Sequence, residues 1–195
     1  MRVKYTTRGI VLARTHAGEA NTFVTMLTPD LGLVHARVQS LRSSGAKLGA
    51  SLATFAESEC VLVRGKEGWR VAGAVLEENW FAKLQTANAR RRAARVSGLV
   101  LRLVAGEVRD AELYAIIREF FEALTTSPVL NSGVGDAHEA VEVVAALRTL
   151  TALGLDTGDL PVSSSLFAPP LLATVAAERS HYISRINTGI AASGL

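Results

Sequence analysis

Near Asn79 the apolar residues of this chain change period, and that switch limits the fold more than any other feature. Ahead of it, short β-rich runs are separated by turns. Beyond it, apolar residues recur at spacings of three and four, the mark of an amphipathic helix. The expected class is α+β, with strands gathered first and helices second. Gly9–Ala13 reads as one strand, flanked by Arg8 and Arg14, and Thr22–Thr28 reads as a second. Pro29-Asp30-Leu31-Gly32 reads as a hairpin connection with Gly32 placed for positive φ. Leu33–Ser40 alternates, with Val34, Ala36 and Val38 on one face and His35, Arg37 and Gln39 on the other. Leu41–Phe55 is rich in Gly and Ser and suggests a long mobile loop with a helical turn at its end. Ser58–Arg64 and Trp69–Leu76 complete five strands, joined by the turn Gly65-Lys66-Glu67-Gly68. Five short strands with one long connection suit a small closed barrel of the OB type over residues 1–79.

Residues 80–195 are expected to form an all-α domain. Ala89, Val96, Val100 and Leu103 line one face of its first helix, and Arg91, Arg95 and Arg102 form a second stripe. Asp110 is placed to cap a helix carrying Leu113, Ile117, Phe120, Phe121 and Leu124. Asp136 and Glu139 have capping-box spacing ahead of Val143, Val144, Leu147 and Leu150, and Gly154 ends that helix. Pro169-Pro170 start a last helix running through Val175, Ile183 and Ile186.

Charge is divided as well, but farther along the chain, beyond the first helical stretch. Residues 1–103 hold 16 Lys and Arg against 7 Asp and Glu, a balance of +9; residues 104–195 hold 5 against 11, a balance of −6. The basic half suits a polyanion, and the acidic half is freer to meet proteins. Chemistry that would make the chain an enzyme is missing from its motifs. His16, His35, His138 and His181 stand at no metal-ligand spacing, and Glu57 and Glu59 read as a solvated strand entry. Asp156 and Asp159 resemble a fragment of a calcium loop without its closing acid. No phosphate-binding glycine motif occurs. The single Cys60, in the apolar run Cys60–Val63, excludes an internal disulfide and a multi-cysteine zinc site and reads as a buried inert thiol. No cofactor is expected. With no signal-peptide pattern and no apolar stretch of about 18 residues, a cytoplasmic protein is expected.

Arg37, Arg42, Lys47, Arg64, Lys66 and Arg70 punctuate the β-rich stretch from Thr28 to Arg70, and Arg14 flanks the first strand. A surface that gathers cations without a reactive group is built to hold phosphates. Arg91 and Arg95 are placed to extend the phosphate track or to form a solvated helix face. Trp69 is the aromatic most suggestive of base stacking, but its register groups it with Val71 and Val75 and so with the core; Phe23 and Phe55 carry the same ambiguity.

Gly9-Ile10-Val11-Leu12, Gly18-Glu19, Leu27-Thr28-Pro29-Asp30-Leu31-Gly32, the Arg42…Lys47-Leu48 loop leading to Leu52 and Phe55, and Arg64-Gly65-Lys66 before Trp69 together resemble the RecO family of bacterial recombination mediators. The resemblance covers roughly the first 80 residues. It implies an OB domain packed on a helical domain, binding of single- and double-stranded DNA, strand annealing, binding of RecR, and assistance in replacing single-strand-binding protein with RecA, in association with the nucleoid. The apolar run Leu166–Leu172 follows a loop and enters a Pro-started helix, so Phe167 and Leu171 either close the bundle core or border a groove for a partner segment, with Phe167, Leu171, Leu172 and the cation Arg179 as contacts; for such a groove the resemblance implies the acidic tail of single-strand-binding protein as occupant. Two features depart from the family. The four-cysteine zinc motif of many relatives is absent, and Val38-Gln39-Ser40 stands where a Lys-Gly pair is common. The chain is short for the family, so a trimmed helical domain is expected. The function expected is that of a non-enzymatic DNA-binding recombination mediator. An adaptor whose basic barrel binds acidic protein tails is the alternative, and a structure-specific nuclease is a third class.

Overall fold

The computed structural model describes residues 3–17, 21–39, 45–126 and 137–194. The chain divides into two compact units, one of residues 1–83 with 105–114, the other of residues 84–104 with 115–195. The segment 105–114 thus belongs with the first unit although a long helix separates the two in sequence.

The first unit is a closed barrel of five strands: β1 (Lys4–Ala17), β2 (Asn21–Thr28), β3 (Gly32–Gln39), β4 (Ala56–Gly65) and β5 (Gly68–Asn79), in the order β1-β2-β3-β5-β4. Closure follows from the length of β1, which pairs with β4 through Lys4–Ile10 and with β2 through Ile10–Ala17. A bulge at Leu12 bends the strand between these two duties. The β3–β5 pair is parallel, which demands a crossover, and the chain supplies it through the helix α1 (Gly45–Ser51) and β4. This is the OB arrangement expected from the sequence. Val34, Ala36 and Val38 face inward as their alternation requires, packed with Val11, Val24, Met26, Leu52, Cys60, Leu62, Trp69 and Val71. Gly32 adopts φ +69°, and a Cβ there would lie 2.2 Å from the Val108 carbonyl oxygen. Only glycine fits that turn.

Three expectations need correction here. The stretch after β3 carries the seven-residue α1 rather than a loop with one turn; residues 40–44 lie outside the described residues. Val75 does not join Trp69 and Val71 in the core but is 67% exposed. Leu62 pairs with Val71 while Val61 pairs with Gly73, so Ala72 is an extra residue that reverses the facing of Gly73–Leu76, up to a second extra residue at Glu77. Glu57 is not a solvated strand entry. It is buried, and its carboxylate accepts hydrogen bonds from the Trp80 indole (3.1 Å) and the Tyr114 hydroxyl (2.8 Å). Trp80 belongs to the short helix α2 (Trp80–Lys83). Two donors on one buried carboxylate meet the satisfaction that burying a charged group requires.

The second unit is helical. In α3 (Ala87–Leu103) the Thr86 hydroxyl caps the first turn, Ala89, Ala93, Val96 and Val100 are buried, and Arg91, Arg95 and Arg102 are exposed. The Asp110 carboxylate caps α4 (Ala111–Thr126) by accepting from the Leu113 N–H at 2.8 Å. Phe120 and Phe121 of α4 are fully buried, as are Leu147 and Leu150 of α5 (Ala137–Ala152). Asp136, half of the expected capping box, lies outside the described residues. Gly154, at φ +70°, closes α5 with bonds from its own N–H to Thr151 and from the Leu155 N–H to Leu150. The expected single last helix is two, α6 (Pro169–Ala177) and α7 (Arg179–Ala192), broken at Glu178, whose φ of −103° and ψ of 29° leave the helical range. Arg185 of α7 binds the Asp156 carboxylate at 2.6 Å and the Asp159 carbonyl at 3.0 Å, so the calcium-like loop is tied by an arginine. Among the described residues no helix is long and apolar enough to cross a membrane.

Candidate nucleic-acid interface

Pairing across β2, β3, β5 and β4 lines up one outward row. Phe23 stands opposite Arg37, Arg37 opposite Arg70, and Arg70 opposite Val63. Residues directly opposite share a face, so the alternation that buries Val34, Ala36 and Val38 aims Arg37 outward. Beside this row the β4–β5 hairpin turns through Lys66 and Glu67, with Gly68 at φ +100°. Row and hairpin together enclose an open groove of about 770 Å³ lined by Phe23, Arg37, Val63, Arg64, Lys66, Glu67, Trp69 and Arg70 with Gly65 and Gly68. Strands 2 and 3 and the loop between strands 4 and 5 are where OB barrels take oligonucleotides.

Four cations line this groove and one carboxylate opposes them from within it. Glu67 reaches Arg37 only at 4.0 Å and is 90% exposed, too loose and too wet to neutralise it. Among the described residues Lys66 and Arg70 have no carboxylate partner. Arg64 is more constrained. Both oxygens of Glu107 accept from its guanidinium, at 2.5 and 2.6 Å, and that guanidinium lies 4.9 Å from the centre of the Trp69 ring. Partial burial pushes the Glu107 carboxyl up, but the hydrogen bond and charge of Arg64 outweigh it and hold the carboxyl below its usual range. Trp69 itself is only 6% exposed, with Tyr5 against its edge at 5.2 Å. It is part of the core, as its register with Val71 indicates.

The other candidates lie elsewhere. Arg14 pairs in register with the buried Val24, out of step with the row, and its buried Nε has no hydrogen-bond partner among the described residues. Arg42 lies outside the described residues, as does the side chain of Lys47, whose backbone is in α1. Arg91 and Arg95 belong to the helical unit. Arg91 is exposed, whereas Arg95 donates to Glu142 at 2.6 Å, a carboxylate it shares with the buried Arg92. That hydrogen bond holds the Arg95 guanidinium still more firmly in its charged form. Of the apolar run before and within α6, Leu171 and Leu172 are buried, and Phe167 is half-buried with its ring 6.4 Å from that of Phe120. Of the two readings of this run, these positions agree with the one in which it closes the helical core. Arg179 pairs with Glu139 at 2.7 Å, and the Arg148 Nε donates to the Leu166 carbonyl at 3.1 Å. Sequence reasoning missed Glu107, which stands 43 positions from Arg64 and carries no local signal.

The four cations of the groove suit it to bind a polyanion. Among the described residues no group of three or more His, Cys, Asp or Glu is placed to hold a metal ion. Residues 1–76 match the family model described as Recombination protein O N terminal. The barrel is similar to the N-terminal domain of RecO proteins. A protein named DNA repair protein RecO from Dehalococcoides mccartyi is 40% identical over 70 residues, 36% of this chain and 28% of that one. The DNA repair protein RecO of Synechococcus elongatus is 40% identical over 62 residues, 32% of this chain and 23% of the other. The match thus spans about a quarter of the relatives' own length. It falls on the RecO-type barrel that carries the groove.

Proposed function

We propose that this chain is a non-enzymatic DNA-binding mediator of recombinational repair, gripping phosphates through Arg37, Arg64, Lys66 and Arg70 on its RecO-type barrel. The observation that most supports this is the convergence of those four cations on one groove at the strand 2–3 face and the strand 4–5 turn. Arg42 and Lys47 are further candidate cations near the barrel in sequence, as is Arg14, and Arg91 and Arg95 are candidates in the helical unit. Annealing follows from the same chemistry. Neutralising the phosphates of two strands lowers their repulsion, and base pairing then drives the reaction without a catalytic group. The names of the relatives support a role in DNA repair. RecR, the single-strand-binding-protein tail and, indirectly, RecA are partners that the family resemblance brings to this reading.

A mobility-shift and annealing assay with complementary oligonucleotides tests it. The full chain is expected to bind both single strands and duplex and to accelerate annealing without magnesium. An adaptor for acidic protein tails would bind oligonucleotides without dependence on their length, and a nuclease would cleave them once magnesium is added. Either result contradicts the proposal.

A further inference from the structure

Phosphate contacts alone do not tell one nucleic-acid form from another. The groove holds a feature they do not use. Phe23 projects from β2 opposite Arg37 and borders the groove in a half-buried position. The His35 ring lies flat against it, with centroids 5.0 Å apart and planes 2° from parallel. His35 is itself steadied by a 3.0 Å hydrogen bond between its Nδ1 and the Thr25 hydroxyl. One face of the Phe23 ring is therefore occupied and its orientation set, while the same side chain lines the groove. Arg37 and Arg70 follow on the next two strands, so ring and farther cation are separated by two strand spacings, about 10 Å at the backbone. One nucleotide can bridge that span with its base on the ring and its phosphate on a guanidinium. Trp69, the larger aromatic nearby, is buried and already covered by Arg64 and Tyr5.

We propose that Phe23, backed by His35, is a base-stacking platform that gives the groove a preference for single-stranded over double-stranded DNA. The inference rests on the nucleic-acid reading of the same groove. A base within a duplex already has its two faces stacked, whereas an unpaired base can lay one face on an aromatic ring, and such stacking tolerates any sequence.

The test compares wild type, Phe23→Ala and Phe23→Trp on three probes of equal length: an oligo-dT strand, the same strand built from abasic sites, and a duplex. Fluorescence anisotropy at several salt concentrations reads the affinities. Phe23→Ala is expected to weaken oligo-dT binding about 5- to 150-fold, the range for loss of one stacked base, with an unchanged salt slope. Abasic-strand and duplex affinities are expected to change less than about twofold, and Phe23→Trp to keep or tighten oligo-dT binding. Equal oligo-dT affinity for wild type and Phe23→Ala would overturn the proposal, as would equal losses on all three probes. Should Phe23→Ala not fold, wild type decides alone: oligo-dT and abasic strands bound equally would overturn it. Failure of the phosphate reading is distinct, since it leaves Arg37 and Arg70 charge reversals without effect on any probe.

Discussion

Glu107 is the residue whose charge most directly opposes the proposed function. Both oxygens of its carboxylate accept from Nη1 of Arg64, a donor that a phosphate would otherwise use. Glu107→Gln is expected to tighten DNA binding about threefold by releasing that guanidinium, a gain of under 1 kcal/mol typical of an exposed pair. Unchanged or weaker binding in a titration at low salt would show that Arg64 contributes nothing. Because the folded-state carboxyl lies below its usual range, the pair stabilises the fold above the ordinary carboxylate value and loses that contribution only as pH falls through the lowered one. Neutral pH therefore leaves the contact intact. Cys60 makes a second test at this scale. Burial first, then the nearby charges of Glu77 and Glu59, push its thiol up to about 12. A raised thiol gives stability that is complete below the unfolded value near 8.5 and is lost as pH rises toward 12. Wild type should thus lose stability over that alkaline window more steeply than Cys60→Ala, and its thiol should resist a thiol reagent at pH 8 until denaturant is added. Immediate labelling of the folded protein would contradict the burial.

Strands and helices were legible in the sequence where a residue's own neighbours decide its place. The alternation of Val34, Ala36 and Val38 gave the face of β3, and the Thr28–Gly32 turn gave its start, because both depend on local geometry. Asp110 and Gly154 marked helix ends for the same reason. The facing of Val75 was not legible, because one extra residue in β5 reverses it and no composition signals a bulge. Nor was the break at Glu178, or the burial of Glu57 by donors 23 and 57 positions away. The arginine row was half legible: alternation aimed Arg37 outward, but only the parallel pairing of β3 with β5 sets Arg70 beside it. The bulge makes a sharp prediction. Val75→Lys should change stability by less than about 0.5 kcal/mol, whereas Val71→Lys should cost several kcal/mol by burying an unpaired ammonium. Denaturant unfolding of the two variants checks it; similar losses would mean that β5 keeps one register throughout. Gly32→Ala should cost about 2–3 kcal/mol, since the added Cβ meets both a positive φ and the Val108 backbone.

Across the whole chain, a balance of +9 in residues 1–103 and −6 in the remainder is hidden beneath a net charge of +3. Such a division lets one half attract phosphate while the other does not compete for it, and it makes binding strongly dependent on salt. Single-stranded binding that neutralises about 5 phosphates should give a slope of log K against log salt near −3.5. Arg37 and Arg70, adjacent across the β3–β5 pair, are expected to supply about 1.4 of that slope between them. The most direct measurement is a salt-dependent anisotropy titration of an oligo-dT strand against wild type and the Arg37→Glu, Arg70→Glu double variant. The expected result is a steep wild-type slope, with the variant at least about 100-fold weaker and flatter by more than one unit. A variant that binds with the affinity and slope of wild type would contradict the claim that this groove holds DNA.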